Sequence, residues 1–123
     1  MTLGRFTLII FLVCFAFATA NITLSYVHKQ DIHELLSGKN KCIQCNLNNA
    51  KLTGLNLEGY DLTQASMVGA DLRCANLKKA NLSGAILKSA NLTGAKLDEA
   101  DLLFTNMDNV TWEDGTDCRD YGA

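Results

Sequence analysis

The chain has 123 residues, of which 48% are hydrophobic and 20% charged, with 13 acidic against 11 basic side chains and no proline. That length carries one small domain. A net charge of -2 leaves no excess of either sign large enough to track a phosphate backbone, or to imitate one along a continuous surface.

Residues 1–20 carry a basic residue, Arg5, then an apolar run from Phe6 to Ala18, and end on Ala18-Thr19-Ala20. A basic start, a short apolar stretch and a small-x-small ending predict a secretory signal peptide cleaved after Ala20. The run is short for a spanning helix, which needs about 20 residues, so an uncleaved anchor is the weaker expectation. After cleavage no stable membrane span is expected. Lipid attachment at Cys14 is weaker still, because Val13 stands where a lipoprotein signal has Gly, Ala or Ser. Loss of Arg5 with the signal leaves 13 acidic against 10 basic side chains, or -3.

Residues 21–44 read as an N-terminal cap segment. Asp31 to Gly38 predicts one short helix, with Asp31 as N-cap, Glu34 in the capping-box position and Gly38 as the stop. Ile32, Leu35 and Leu36 are then expected to face the open end of the repeats that follow, covering an apolar surface and an unpaired edge.

Residues 45–109 are written in fives. Leu47, Leu52, Leu57, Leu62, Met67, Leu72, Leu77, Leu82, Leu87, Leu92, Leu97, Leu102 and Met107 each follow the last by five residues. Two positions before each stands a second column: Cys45, Ala50, Leu55, Tyr60, Ala65, Ala70, Ala75, Ala80, Ala85, Ala90, Ala95, Ala100 and Thr105. The unit is Ala-(Asp/Asn)-Leu-x-x. A helix spaces apolar residues three and four apart and a simple strand spaces them two apart indefinitely, so neither fits a strict five. Ala and Leu two apart share one face of a short extended segment, and the remaining residues turn a corner. Repetition predicts a solenoid lined by Ala and Leu, with its backbone groups paired to the coils above and below at about 4.8 Å.

These residues resemble the pentapeptide-repeat family, and the match covers about half the chain. The resemblance implies an all-β fold, a right-handed quadrilateral β-helix with four pentapeptides per coil, here about three coils preceded by the short capping α-helix. Leu55 and Tyr60 depart from Ala in the first coil, where interior space is filled differently or the coil is less regular. The Leu35-Leu36 pair followed by Cys42-Ile-Gln-Cys45-Asn-Leu also looks like the start of small exported members.

Residues 110–123 read as a C-terminal cap and tail. Val110 and Trp112 continue the two inner columns by one step before Glu-Asp-Gly115 turns. Trp112, with Leu103 and Phe104 beside it, is expected to plug the end of the stack.

Removal of Cys14 with the signal leaves Cys42, Cys45, Cys74 and Cys118, an even number that favours disulfides in an exported protein. Cys42 falls in the Leu column and Cys45 in the Ala column, so a Cys42–Cys45 staple of the first turn is the first choice. Cys74, at an outer corner, and Cys118, beyond the last coil, pair only if the tail folds back, because their Cα atoms must come within about 7 Å. A redox Cys-x-x-Cys is less favoured, since no βαβ pattern surrounds it. A zinc site from His28, His33 and the two cysteines has the wrong order and spacing.

If every twentieth residue stacks, Glu58, Lys78 and Asp98 line one face and Lys51, Asp71 and Asn91 another, opposite signs neutralising each other. Only Asp61, Asn81 and Asp101 make a mildly acidic stripe. This bears on gyrase-binding members of the family, whose DNA mimicry needs continuous acidity. Val68 and Ile86 on neighbouring coils, with Leu103 and Phe104 near the end, form a candidate docking patch or homodimer contact. Ser66, Ser83 and Ser89 have no His within the repeats, and no Gly-rich phosphate loop or metal motif occurs. The sequons at Asn81 and Asn91 arise from the repeat itself. The sequence therefore reads as an exported, non-catalytic scaffold with an unidentified protein partner or a second copy of itself, without cofactor or metal, and not as a nucleic-acid binder. A target-mimicking inhibitor of a DNA-handling enzyme is the alternative.

Overall fold

The computed structural model describes residues 31–113 and Cys118 of the chain. The expected signal peptide and His28 lie outside the described residues. From Lys41 onward the backbone returns to itself every twenty residues: Lys41 bridges Asp61 in parallel, Asp61 bridges Asn81, and Asn81 bridges Asp101. The same offset runs down from Asn46, Lys51 and Asn56. Four pentapeptides therefore make one coil, and the coils are 41–60, 61–80 and 81–100, with a fourth begun at Asp101. Bridged register extends from Lys41 to Thr111, past 45–109 on either side. Each bridge is isolated, one residue per flat side, because a turn interrupts the chain before a second bridge can form. Among the described residues the β structure consists of these parallel bridges rather than of extended strands.

Buried backbone donors must find acceptors, and each repeat has five. The Leu-column N–H donates one coil onward, as Leu57 does to the Asn76 carbonyl at 2.8 Å. The second turn residue does the same, Gly59 to Lys78 at 2.8 Å. The residue between the columns donates one coil backward, Asn76 to Leu55 at 2.9 Å. The Ala-column N–H closes the turn on its own repeat, Ala85 to Leu82 at 2.9 Å. The first turn residue reaches none of these, and where Asp or Asn stands two residues earlier that N–H is taken by its side chain: Ser83 by Asn81 Oδ1, Thr93 by Asn91 Oδ1 and Leu103 by Asp101 Oδ1, each at 3.0 Å. The Asp/Asn column is thus structural, an Asx-type contact repeated down the stack. Where Ser66 replaces it, Asn48 Oδ1 from the preceding coil accepts both the Val68 N–H, at 2.8 Å, and the Ser66 hydroxyl, at 2.7 Å.

The second turn residue has positive φ in every repeat from Gln44, at 56°, to Asn109, at 54°. A β-turn with a left-handed third residue favours Gly or Asn. At Gly69 a Cβ would also lie 2.6 Å from Asn49 Oδ1, so a larger residue there would have to displace that side chain.

The interior follows from the two columns. Leu47 to Leu92, with Met67 among them, are buried, as are Ala65 to Ala90. Each such Leu contributes about 1.5–3 kcal/mol by leaving water. Leu55 and Tyr60 are half-buried against the same core.

Both ends differ from the middle. Residues 31–36 are helical, Leu35 is fully buried in the core and Ile32 half-buried, whereas Leu36 is exposed. One short helix can turn only part of its surface to the core, so Leu36 lies outside the cover expected of it. The Asp31 carboxylate accepts the Asn46 N–H at 2.9 Å. In the next coil the equivalent N–H, of Ser66, goes to Cys45 of the coil before. Asn46 has no such coil, and Asp31 stands in for it.

At the other end Leu97 and Met107 are half-buried and Leu102 is 37% exposed, so the column loses its shielding where no further coil covers it. Trp112 is 45% exposed and does not plug the interior.

Two sets of substitutions test this register by thermal or denaturant unfolding. Leu77→Lys places an unpaired charge in the fully buried middle of the stack and is expected to abolish the cooperative transition. Lys78→Ala loses only an exposed 3.4 Å pair with Asp98 and is expected to shift stability by no more than about 0.5 kcal/mol. Asn81→Ala orphans the Ser83 N–H and is expected to cost about 1–2 kcal/mol, while Asn81→Asp retains the acceptor and most of the stability.

Candidate functional site

Nothing among the described residues gathers His, Cys, Asp and Glu into a metal-binding group. His33 lies exposed on the helix. The cysteines of the Cys-x-x-Cys are joined, with Sγ atoms 2.01 Å apart and Cα atoms 5.3 Å apart, and both residues are buried. Buried sulfurs give an incoming thiolate no line of attack, so the arrangement suits a staple better than a redox centre. Cys74 is joined to Cys118, Cα to Cα 5.5 Å, and Cys118 Sγ lies 3.7 Å from the Gly94 carbonyl oxygen. Cys118 thus lies at the corner column of Gly54, Cys74 and Gly94, and the bond joins residues 44 positions apart. Among the serines, the Ser66 and Ser83 hydroxyls donate to Asn48 and Asn81 and face no base.

The outer surface offers three features. On one face Asp71 and Arg73 form a two-pronged pair, Nε to Oδ1 at 2.8 Å and Nη2 to Oδ2 at 2.7 Å. The guanidinium beside it holds the Asp71 carboxyl below the ordinary aspartate range, against a smaller opposing push from burial. On the adjacent side of the coil polar side chains stack in register: Asn76 donates to Asn56 Oδ1 at 3.0 Å and to Glu58 Oε2 at 3.1 Å. Charge is neutralised locally, and Asn81 interrupts the stripe from Asp61 to Asp101, so no continuous acidic surface forms.

The third feature is apolar. Ile86 is 40% exposed and Val68 half-buried on the neighbouring coil of the same face. Leu103 and Phe104 are 59% and 86% exposed in the fourth coil. The ladder puts Ile86 one coil before Asn106, two residues from Phe104, so Ile86 and the Leu103–Phe104 pair flank one corner. Leu102 and Trp112 add exposed apolar surface at the same end, which counting columns alone assigned to the interior.

A model of one protein family, pentapeptide repeats, matches residues 41–78 and 75–111 in eight copies, more than half of the 123-residue chain. The chain belongs to the pentapeptide-repeat family. Solved members imply a right-handed β-helix, and the twenty-residue coil described above is consistent with it. A pentapeptide repeat protein from the cyanobacterium Cyanothece 51142 is 33% identical over 59% of this chain and 54% of its own length, with a TM-score of 0.52. HetL, a pentapeptide repeat protein from Nostoc sp. strain PCC 7120 involved in heterocyst differentiation regulation, is 25% identical over 62% of this chain and 50% of its own, with a TM-score of 0.42. A pentapeptide repeat protein of the Arabidopsis thaliana thylakoid lumen is 23% identical over 57% and 56%, with a TM-score of 0.24. The chain thus spans about half the length of these pentapeptide-repeat proteins. No curated protein matches the sequence.

The Asp71–Arg73 pair makes a pH prediction. Because the folded-state value lies below the ordinary 3.8, the pair's contribution is complete well above that value and is lost as pH falls through the lowered one. Arg73→Ala is expected to return the Asp71 midpoint, followed by carboxyl NMR, to the ordinary range. An unchanged midpoint in that variant would assign the shift to the surrounding backbone instead.

Proposed function

We propose that this pentapeptide-repeat protein is an exported, non-catalytic scaffold that docks another protein at the apolar end of its stack. The observation that carries the reading is the exposure of Leu103 and Phe104, with Leu102 and Trp112 exposed at the same end, in a structure whose other large apolar side chains mostly line the interior. Isolated apolar residues on a surface need no explanation, but a group at one end of a solenoid suits a contact. Family membership supports a structural rather than an enzymatic role. Export is supported by the predicted leader and by four cysteines in two disulfides, which persist in oxidising compartments. Among the described residues no helix is long and apolar enough to cross a membrane.

The alternative, a mimic of duplex DNA, meets the local charge neutralisation described above and needs the protein to share a compartment with its target. Location decides between them. Fractionation of the source cell, followed by intact mass with and without thiol alkylation, is expected to recover an extracytoplasmic chain beginning at Asn21 with Cys42, Cys45, Cys74 and Cys118 all blocked. A cytoplasmic chain that retains Met1 and alkylates at free thiols would sink the exported-scaffold reading and favour the mimic.

A further inference from the structure

Resting on the scaffold reading, we infer that the partner presents a basic, extended segment with alternating apolar side chains, which adds to the open edge of the fourth coil. The first observation is the ladder. Leu57 and Gly59 donate to the coil beyond, and so does every equivalent pair as far as Leu92 and Gly94. In the fourth coil the N–H groups of Leu102, Phe104, Met107 and Asn109, and the carbonyls of Ala100 and Thr105, have no such partners among the described residues. Their geometry is that of a coil edge prepared for one more run of backbone, the mode by which extended peptides add to sheets.

The second observation is charge. Glu99, Asp101 and Asp108 lie at that edge, while Asp98 is paired with Lys78 and Lys96 stands beside it, so the balance still favours a segment carrying Lys or Arg. The third is the apolar rim of Leu102, Leu103, Phe104 and Trp112, which calls for apolar side chains alternating with the basic ones. Cys118 is tied to Cys74 and lies beside Gly94, at an outer corner of the second and third coils.

A second copy fits less well in either orientation. Edge to edge, two fourth coils bring their carboxylates together. Head to tail, the incoming first coil already holds Leu35 in its core and Asp31 on the Asn46 N–H. A basic extended segment meets neither obstacle.

The test uses the disulfide-bonded protein and a fluorescent peptide of alternating leucine and lysine. Anisotropy is expected to show binding that weakens with salt, and that weakens about tenfold or more when alternate peptide nitrogens are methylated, because the Ala100 and Thr105 carbonyls then lose their donors. Paired Asp101→Asn and Asp108→Asn changes, which keep the oxygen that Asp101 offers the Leu103 N–H, are expected to weaken binding about fivefold or more, whereas Glu58→Gln, in the first coil, leaves it unchanged. Hydrogen exchange of the free protein provides a readout independent of any variant: the Leu102, Phe104, Met107 and Asn109 amides are expected to exchange fast and to become protected by the peptide. Three results overturn the inference: equal binding of the methylated peptide, protection of those amides in the free monomer by its own tail, or sedimentation showing a dimer that occupies the edge. Each leaves the scaffold reading standing, since that reading is tested by location and thiol state.

Discussion

A coil with a single bridging residue per side cannot satisfy its backbone by pairing alone, and the rest of the structure depends on how the remaining donor is met. Three of the five N–H groups in a repeat reach neighbouring coils and a fourth closes the turn. In most repeats the fifth is met by a side-chain oxygen of the Asp or Asn between the two apolar columns, while Lys51, Ile86 and Lys96 hold that place in three others. This constraint also explains why the motif has five residues. Two inward positions flank an Asx residue, and two turn positions, the second left-handed, bring the chain round to repeat the pattern.

The inner columns were legible in the sequence because the spacing of two then three admits few backbones. Leu47 to Leu92 occupy the interior as their phase requires. The Asp/Asn column was legible as a pattern but not as a role, since hydrophobic periodicity says nothing about a polar side chain that folds onto its own backbone. Asp31 was read as a helix cap and serves the first coil instead, at Asn46. That exchange depends on which donor lacks a coil before it, a property of the assembled stack that no local sequence window contains.

The ends are where column counting fails, and the failure has one cause. Burial in a solenoid is conferred by the neighbouring coil, so a residue in perfect phase remains wet if nothing follows it. Leu102 and Trp112 keep the phase of the Leu column and are exposed all the same. The candidate docking surface was therefore only half visible beforehand: Leu103 and Phe104 could be read as outward-facing, but the exposure of two inner-column residues at the same end could not. Phe104 also holds a backbone conformation, φ 59°, that bulky residues rarely adopt. The repeat imposes that conformation, and it sets the ring on the corner.

The Cys74–Cys118 bond changes how such a stack comes apart. In a linear array each unit leans on the next, so melting ordinarily begins at a terminus and unzips unit by unit. Here the cross-link encloses the chain from the second coil to beyond the fourth, making the C-terminal coils a closed ring. The fourth coil cannot diffuse away from the second, and a proteolytic nick within the ring leaves both fragments attached. The last coils, which have the least cover, are held by the covalent loop that the second coil anchors, so fraying at this end is recoverable in a way that an open repeat would not allow.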